Sequence, residues 1–376
     1  MNDILAKNIR RRRLLLGLDQ EQLADRLGVS RITFSKYENG KSPVNDDVFY
    51  RLSRIFNVSP DVLLESPEYS SIPFFRHKSL RSQREKAGNH QMILDAEKKF
   101  ADYEFLEEVS GEGVGSSAVL SLAGRVDSVS DARALGEKVR NLIFGQGFEN
   151  VRRFGEAFEA NGIKFLAFPF PVDGEFGFTL KLEDGSFGIA VNNSADVPGE
   201  RQLFTLCHEL GHLLMHYGHD NLDSGAAAEK RREAEANAFA GGMLIPDREF
   251  REAWDATEGR VWFDRILAVK RIFTVSYQTV IHSLEDRYRA DTGKNSVPPY
   301  RTWFRENYTR RFGRSLPAHE EACPAGIRIE SDRFVRLARK AFLSGEITMQ
   351  KLAEMLDKPL IAVRELVNEW GREASA

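Results

Sequence analysis

Cysteine is almost missing from this chain. Cys207 and Cys323 are the only two, far apart in sequence, which excludes a disulfide framework and predicts a reducing cytoplasm. Long apolar runs are missing too. None approaches the ~18 residues of a membrane span, and after Arg10 to Arg13 only Leu14, Leu15 and Leu16 run on, too few for the core of a signal peptide. The expected location is therefore the cytoplasm, with no membrane partner. Nor is there an excess of one charge: 53 Lys and Arg stand against 56 Asp and Glu, a net charge of -3 at pH 7. No global basic field advertises nucleic acid, so any such partner has to be met by a local patch. What is present is 376 residues, 42% hydrophobic and 29% charged, enough for two or three domains with cores of their own.

Residues 1–66 read as short helices between tight turns. Ile4, Ile9, Arg13 and Leu16 mark an amphipathic helix ending near Gly17. Asp19 is placed to cap a helix from Gln20 to Leu27, with Gln22 completing a capping box and Gly28 as the stop. Ser30 then caps Arg31 to Glu38, Asn39-Gly40 ends it, and Asn45 or Asp46 opens a further helix through Phe56. Two helices joined through a glycine turn make a helix-turn-helix unit. Its second helix turns Arg31, Thr33 and Lys36 outward and Phe34 and Tyr37 inward. Arg and Lys suit guanine or phosphate, and Thr suits a base edge or a thymine methyl. The bland alternative is a helical protein-interaction module, since the segment carries 11 Lys and Arg against 9 Asp and Glu.

The residues Asp19-Gln20-Glu21-Gln22-Leu23-Ala24-Asp25-Arg26-Leu27-Gly28-Val29-Ser30 and Tyr37-Glu38-Asn39-Gly40-Lys41 give this segment its resemblance to lambda-repressor/Cro-like (XRE-type) helix-turn-helix domains. The resemblance implies Gln20 on a phosphate, Arg31, Ile32, Thr33 and Lys36 facing bases, and Asn39 and Lys41 on the DNA backbone. It also implies that Arg13 pairs with Glu38, and that the domain binds paired half-sites of a double-stranded operator as a homodimer.

Ser66 to Pro73 is a break rich in serine and proline. From Ser79 to Val109 the pattern turns charged and helical, and is read as a long helix that connects domains or pairs with its own copy, with a solvated charged face. Gly111 to Ser117 is a flexible boundary, after which Ser130-Asp131 caps a helix from Ala132 to Phe144 and Asn150 precedes another through Ala160. Ile163 to Phe168, Gly177 to Leu182 and Ser186 to Val191 read as strands, the last two joined by a Glu183-Asp184-Gly185 hairpin turn. An edge of this small antiparallel sheet could take an extended peptide by strand addition, or be purely structural.

The chemistry concentrates in His208-Glu209-Leu210-Gly211-His212, a His-Glu-x-x-His pattern inside a helix predicted from Arg201 to Tyr217. Residues i and i+4 share a helix face, so the two imidazoles can hold two of zinc's tetrahedral positions while Glu209 takes a proton from water. Leu203, Leu206, Leu210, Leu213 and Leu214 make the helix largely buried, and Gly211 leaves room for another backbone. A second helix from Glu229 to Ala240 offers Glu233 as third ligand on a face with Ala236, Asn237 and Ala240; Glu235 is the rival. Asn237 is a candidate for orienting a ligand, His216 and His219 are further candidate ligands, and Cys207 reads as a small core residue.

The run Glu200 to Leu214, followed by Glu233-Ala234-Glu235-Ala236-Asn237-Ala238-Phe239-Ala240 and Leu244-Ile245-Pro246, resembles the ImmA/IrrE family of zinc metallopeptidases. The resemblance implies a zinc-dependent endopeptidase in which His208, His212 and Glu233 are ligands and Glu209 is the general base. It also implies a partner among repressors of the helix-turn-helix type, relieved by cleavage. No Tyr or His is marked by its spacing as the oxyanion stabiliser.

Leu267 to Val280 reads as helix, turn, helix again, a packing unit or a second DNA reader, and Asp332 to Trp370 as two helices around Gly345-Glu346-Ile347-Thr348. The whole is expected to be multidomain: an all-α helix-turn-helix domain over 1–68, a linker and long helix over 69–115, an α+β zincin-like metallopeptidase domain with a small antiparallel sheet over 116–290, and a helical C-terminal region over 291–376. The predicted function is a transcription regulator with zinc as cofactor that cleaves a repressor-like or antitoxin-like protein partner. The alternative is a non-proteolytic repressor whose peptidase-like domain senses a ligand or partner.

Overall fold

The computed structural model of the chain describes residues 2–15, 18–56, 60–64, 72–74, 87–113, 117–145, 154–170, 176–182, 186–216, 226–294, 296–314, 329 and 332–373. The N-terminal unit consists of α1 (Asn2–Leu15), α2 (Gln20–Leu27), α3 (Arg31–Glu38), α4 (Asp46–Ile55) and a single 3-10 turn at Pro60–Leu63. Its boundaries follow from side-chain caps. Asp19 accepts from the Gln22 amide at 2.8 Å while Gln22 accepts from the Asp19 amide at 3.0 Å, so two orphan donors of α2 are satisfied reciprocally. Gly28 leaves α2 at φ 67, a left-handed conformation that favours glycine. Ser30 caps α3, and Asn45 rather than Asp46 caps α4. Ile9, Leu23, Phe34 and Leu52 fill the core between the helices. The buried Arg13 guanidinium bonds Glu38 at 2.5 Å and the Leu18 carbonyl at 2.7 Å, tying α1 to α3 as the family resemblance implied.

Four strands form one sheet in the order β1-β3-β4-β2, with β1 at Ile72–Phe74, β2 at Lys164–Phe168, β3 at Gly177–Lys181 and β4 at Phe187–Asn192. The β3–β4 pair is antiparallel, as a hairpin requires; its expected turn, Glu183-Asp184-Gly185, lies outside the described residues. β2 lies parallel to β4, Phe165 opposite Ile189, so the sheet is mixed. This suits the near-continuous apolar run of β4, which is covered on both faces. Phe165, Ile189 and Val191 join the main core beneath, whereas Phe178, Leu180 and Ala190 meet Met92, Ala96 and Phe100 of α5 (Ala87–Ser110). A Cβ at Gly188 would lie 2.5 Å from the Phe100 ring, so glycine there sets how closely α5 approaches.

Residues 79–86 of the expected long helix lie outside the described residues. The second half of α5 carries Tyr103 and Leu106 into a core with α14 (Arg333–Leu343), α15 (Met349–Met355) and α16 (Leu360–Glu373). The solvated charged face expected for it is therefore corrected. Glu97, Asp102 and Glu107 are buried, with Lys164 3.0 Å from Glu107 and Lys351 3.0 Å from Asp102. The stretch from Asp332 to Trp370 also differs from its two-helix reading: its described residues form three helices, the last two separated where Asp357 takes φ 49.

The remaining helices are α6 (Val129–Phe144), α7 (Phe154–Ala160), α8 (Gly199–His216), α9 (Ala226–Leu244), α10 (Asp247–Asp255), α11 (Trp262–Phe273), α12 (Tyr277–Thr292) and α13 (Tyr300–Phe312). Ser128, not Ser130 or Asp131, caps α6 by accepting from the Asp131 amide at 3.1 Å. α6 lies almost backbone-to-backbone on α9: a Cβ at Gly136 would sit 2.1 Å from the Phe239 carbonyl, and one at Gly242 2.2 Å from that of Arg133. From α6, Arg140 donates to the Met243 carbonyl at 2.8 Å and Arg133 to that of Ile245 at 2.7 Å, satisfying acceptors at the end of α9. α11 and α12 make the expected helix-turn-helix, but Tyr277, Thr279 and Val280 are buried, which makes it a packing unit.

Candidate metal centre and its cleft

α8 runs under the sheet, wholly buried from Thr205 to His216. His208 and His212 stand one turn apart, and their Nε2 atoms lie 3.0 Å from each other. Glu233, from α9, brings one carboxylate oxygen to 3.5 Å from His208 Nε2 and the other to 3.2 Å from His212 Nε2. A tetrahedral ion with bonds of ~2.0–2.1 Å holds its donors ~3.3 Å apart, so the spacing fits zinc. These three form the one group among the described residues whose donors could hold a metal. Burial pushes the His212 imidazole below its ordinary pKa. Burial works the other way on Glu233, but the two imidazoles hold its carboxyl far below the usual carboxylate range. Neutral imidazoles and an ionised carboxylate are the protonation states that ligate metal.

The rival carboxylate lies elsewhere. Glu235 is buried and accepts from His216 Nε2 at 2.8 Å, with Arg231 3.5 Å away. His216 is not among the convergent donors, because its Nδ1 meets the far side of the His212 ring, 3.0 Å from His212 Nδ1. His219 lies outside the described residues. Gly211 makes room for the Phe239 ring, 2.9 Å from where its Cβ would be, rather than for another backbone. Cys207 is fully buried, its thiol pKa pushed up by burial, as befits a small core residue.

Glu209 is buried and accepts from Thr179 Oγ1 of β3 at 3.0 Å. It borders a cleft of about 330 Å³ together with His208, Glu233 and Asn237. Gly177, at the start of β3, lies on the same cleft, and a Cβ there would be 2.4 Å from Thr205 and 3.5 Å from Glu209. Arg201 stacks on the Phe176 ring at 4.1 Å, also on the wall. From α12 come Gln278 and His282, which no local spacing connects to α8. Arg301 donates to His282 at 2.8 Å, and partial withdrawal from water together with that cation pushes the His282 pKa down to about 4. The outer edge of β3, a candidate for strand addition, is paired at Thr179–Lys181 with the chain's own β1.

In the N-terminal unit, α3 exposes Arg31, Lys36 and Ile32, the last at 72%. Thr33 is half-buried, its hydroxyl 2.8 Å from that of Ser30. Asn39 and Lys41 are exposed just past the helix, Asn39 donating to the Ser35 carbonyl at 2.7 Å. The half-buried Gln20 side chain, at the start of α2, donates to Glu38 at 2.7 Å.

A helix-turn-helix followed by two helices that converge His, His and Glu beneath a small sheet defines a DNA-binding domain joined to a metallopeptidase-like one. Comparison with protein families bears this out part by part: residues 9–63 match the helix-turn-helix family model, and residues 158–285 match that of the IrrE N-terminal-like domain. The chain is an XRE-type helix-turn-helix fused to an ImmA/IrrE-like domain. A search of curated proteins finds no match to it. Among the described residues no helix is long and apolar enough to cross a membrane.

Proposed function

We propose that this regulator is a cytoplasmic, DNA-bound zinc endopeptidase that cleaves a protein partner of repressor or antitoxin type. The observation that carries the reading is the convergence of His208, His212 and Glu233 beside a buried Glu209 at an open cleft. Zinc held by the three ligands would supply Lewis acidity to a peptide carbonyl and to water. Thr179 engages one oxygen of Glu209, which leaves the second to take a proton from the attacking water and pass it to the departing amine. His282 and Gln278, on the same cleft, are the side chains available to a developing oxyanion. In the N-terminal domain Arg31, Ile32, Thr33 and Lys36 face bases, and Gln20, Asn39 and Lys41 meet the backbone of an operator bound by a homodimer.

Glu209→Gln tests the chemistry, since it keeps shape and removes the base. Protein fragments from cells carrying the variant should lack cleavage products that wild type generates, with zinc content and operator affinity unchanged. Equal fragment patterns from both would overturn the peptidase reading and leave a domain that senses a ligand or partner.

A further inference from the structure

We propose that Glu235 and His216 form a positioning chain that fixes the tautomer of His212 and so aims its lone pair at the metal position. The inference rests on the zinc-site reading above but not on catalysis.

The chain is continuous and dry. His212 Nδ1 lies 3.0 Å from His216 Nδ1, and His216 Nε2 lies 2.8 Å from Glu235 Oε2. His216 is 5% exposed and Glu235 3% exposed, so water does not compete for these bonds. With both imidazoles neutral and a cation on the side of His208 and Glu233, the hydrogen count allows one consistent arrangement. A carboxylate only accepts, so it selects the His216 tautomer with its proton on Nε2. That leaves a lone pair on His216 Nδ1, which accepts from His212 Nδ1–H. His212 then presents the Nε2 lone pair towards His208 and Glu233. The reverse arrangement would set the His216 Nε2 lone pair against the carboxylate, two acceptors 2.8 Å apart in a buried site. It would also aim a His212 proton where a cation is to bind.

His212 is the ligand held in this way. His208 Nδ1 is buried with no hydrogen-bond partner among the described residues. Control of ring orientation therefore falls on one imidazole, and the carboxylate that exerts it stands two residues from the ligand Glu233 on α9. A side chain that orients a metal-bound histidine raises its basicity and holds its plane, and losing one typically weakens metal binding 10–100-fold.

The test uses the full chain. Zinc affinity is read by competition with a chromogenic chelator for wild type, His216→Phe, Glu235→Leu and Glu235→Gln. The His216 tautomer is read in the zinc-loaded protein from its imidazole nitrogen shifts. His216→Phe and Glu235→Leu should weaken zinc by about 10–100-fold. Glu235→Gln keeps an acceptor oxygen and should stay near wild type. Wild type should show His216 protonated on Nε2, towards Glu235, with Nδ1 bare towards His212. Wild-type His216 protonated on Nδ1 would overturn the proposal, even if no variant folds. So would Glu235→Leu binding zinc like wild type, or Glu235→Gln losing as much as Glu235→Leu. A wild type that binds zinc yet cleaves nothing would sink the peptidase reading alone.

Discussion

His282 reaches the cleft from a helix some seventy residues beyond the His-Glu-x-x-His run. No spacing rule could have named it, because its neighbourhood is made by the fold rather than by helix periodicity. The same holds for Thr179, which bonds Glu209 from β3. By contrast His208 and His212 were legible at once, since i and i+4 share a face in any helix. Glu233 and Glu235 stayed open because both can face α8; only the way α9 crosses it sends Glu233 to His208 and His212 and Glu235 to His216. The His282 environment has a measurable consequence. Its folded pKa is about 4, below the ~6.5 of an unfolded histidine. The unfolded chain therefore takes up the proton first, so this contribution is intact above about pH 6.5 and is lost as pH falls towards 4. Thermal melts of wild type should lose stability over that window more steeply than those of His282→Gln, and parallel pH profiles would refute the assignment.

Elements show why some boundaries were readable and others were not. Caps on α2, α3 and α4 are local, so Asp19, Ser30 and Asn45 could be read from sequence, the last with Asp46 as an alternative. The cap of α6 moved two residues to Ser128, where the backbone is extended at φ -147 and ψ 163. The charges of α5 misled because burial of a carboxylate depends on which cation the fold brings to it, here Lys164 and Lys351. The contact between α6 and α9 is also tertiary. Gly136 lies mid-helix, yet a Cβ there meets the Phe239 carbonyl at 2.1 Å, a backbone atom that cannot swing aside. In an exposed helix Gly→Ala would stabilise by about 1 kcal/mol. Gly136→Ala should instead destabilise by about 1–3 kcal/mol or more through overpacking, read from denaturant midpoints. Because α9 carries Glu233, zinc affinity should fall as well. A stabilised variant would show that the two helices do not meet as described.

At the scale of the whole molecule, α14 to α16 bear on how DNA is held. At one constant sequence offset, Thr348 caps α15 as Asp19 caps α2, Asp357 turns left-handed where Gly28 does, and Leu352 and Val363 are buried where Leu23 and Phe34 are. Ile361 is 71% exposed where Ile32 is 72% exposed. The C-terminal unit thus repeats the cap, the left-handed turn and the buried positions of the helix-turn-helix. Its chemistry differs: Leu360, Ala362 and Glu365 stand where α3 has Arg31, Thr33 and Lys36, and only Arg364 beside them is an exposed donor. With a net charge of -3, the proposed function has operator affinity rest chiefly on the cations of the N-terminal unit. Lys41, exposed beyond α3, is assigned to a phosphate, and Arg31 to a base. Lys41→Ala should weaken binding of every sequence alike and lower the salt slope by about 1. Arg31→Ala should cost about 1–3 kcal/mol on the preferred operator and little on random DNA. Both are read by titrating labelled duplexes at several salt concentrations. Should Glu365→Ala change operator affinity as much as Lys41→Ala does, the C-terminal repeat would be a DNA reader too, and the division of labour argued from its side chains would be wrong.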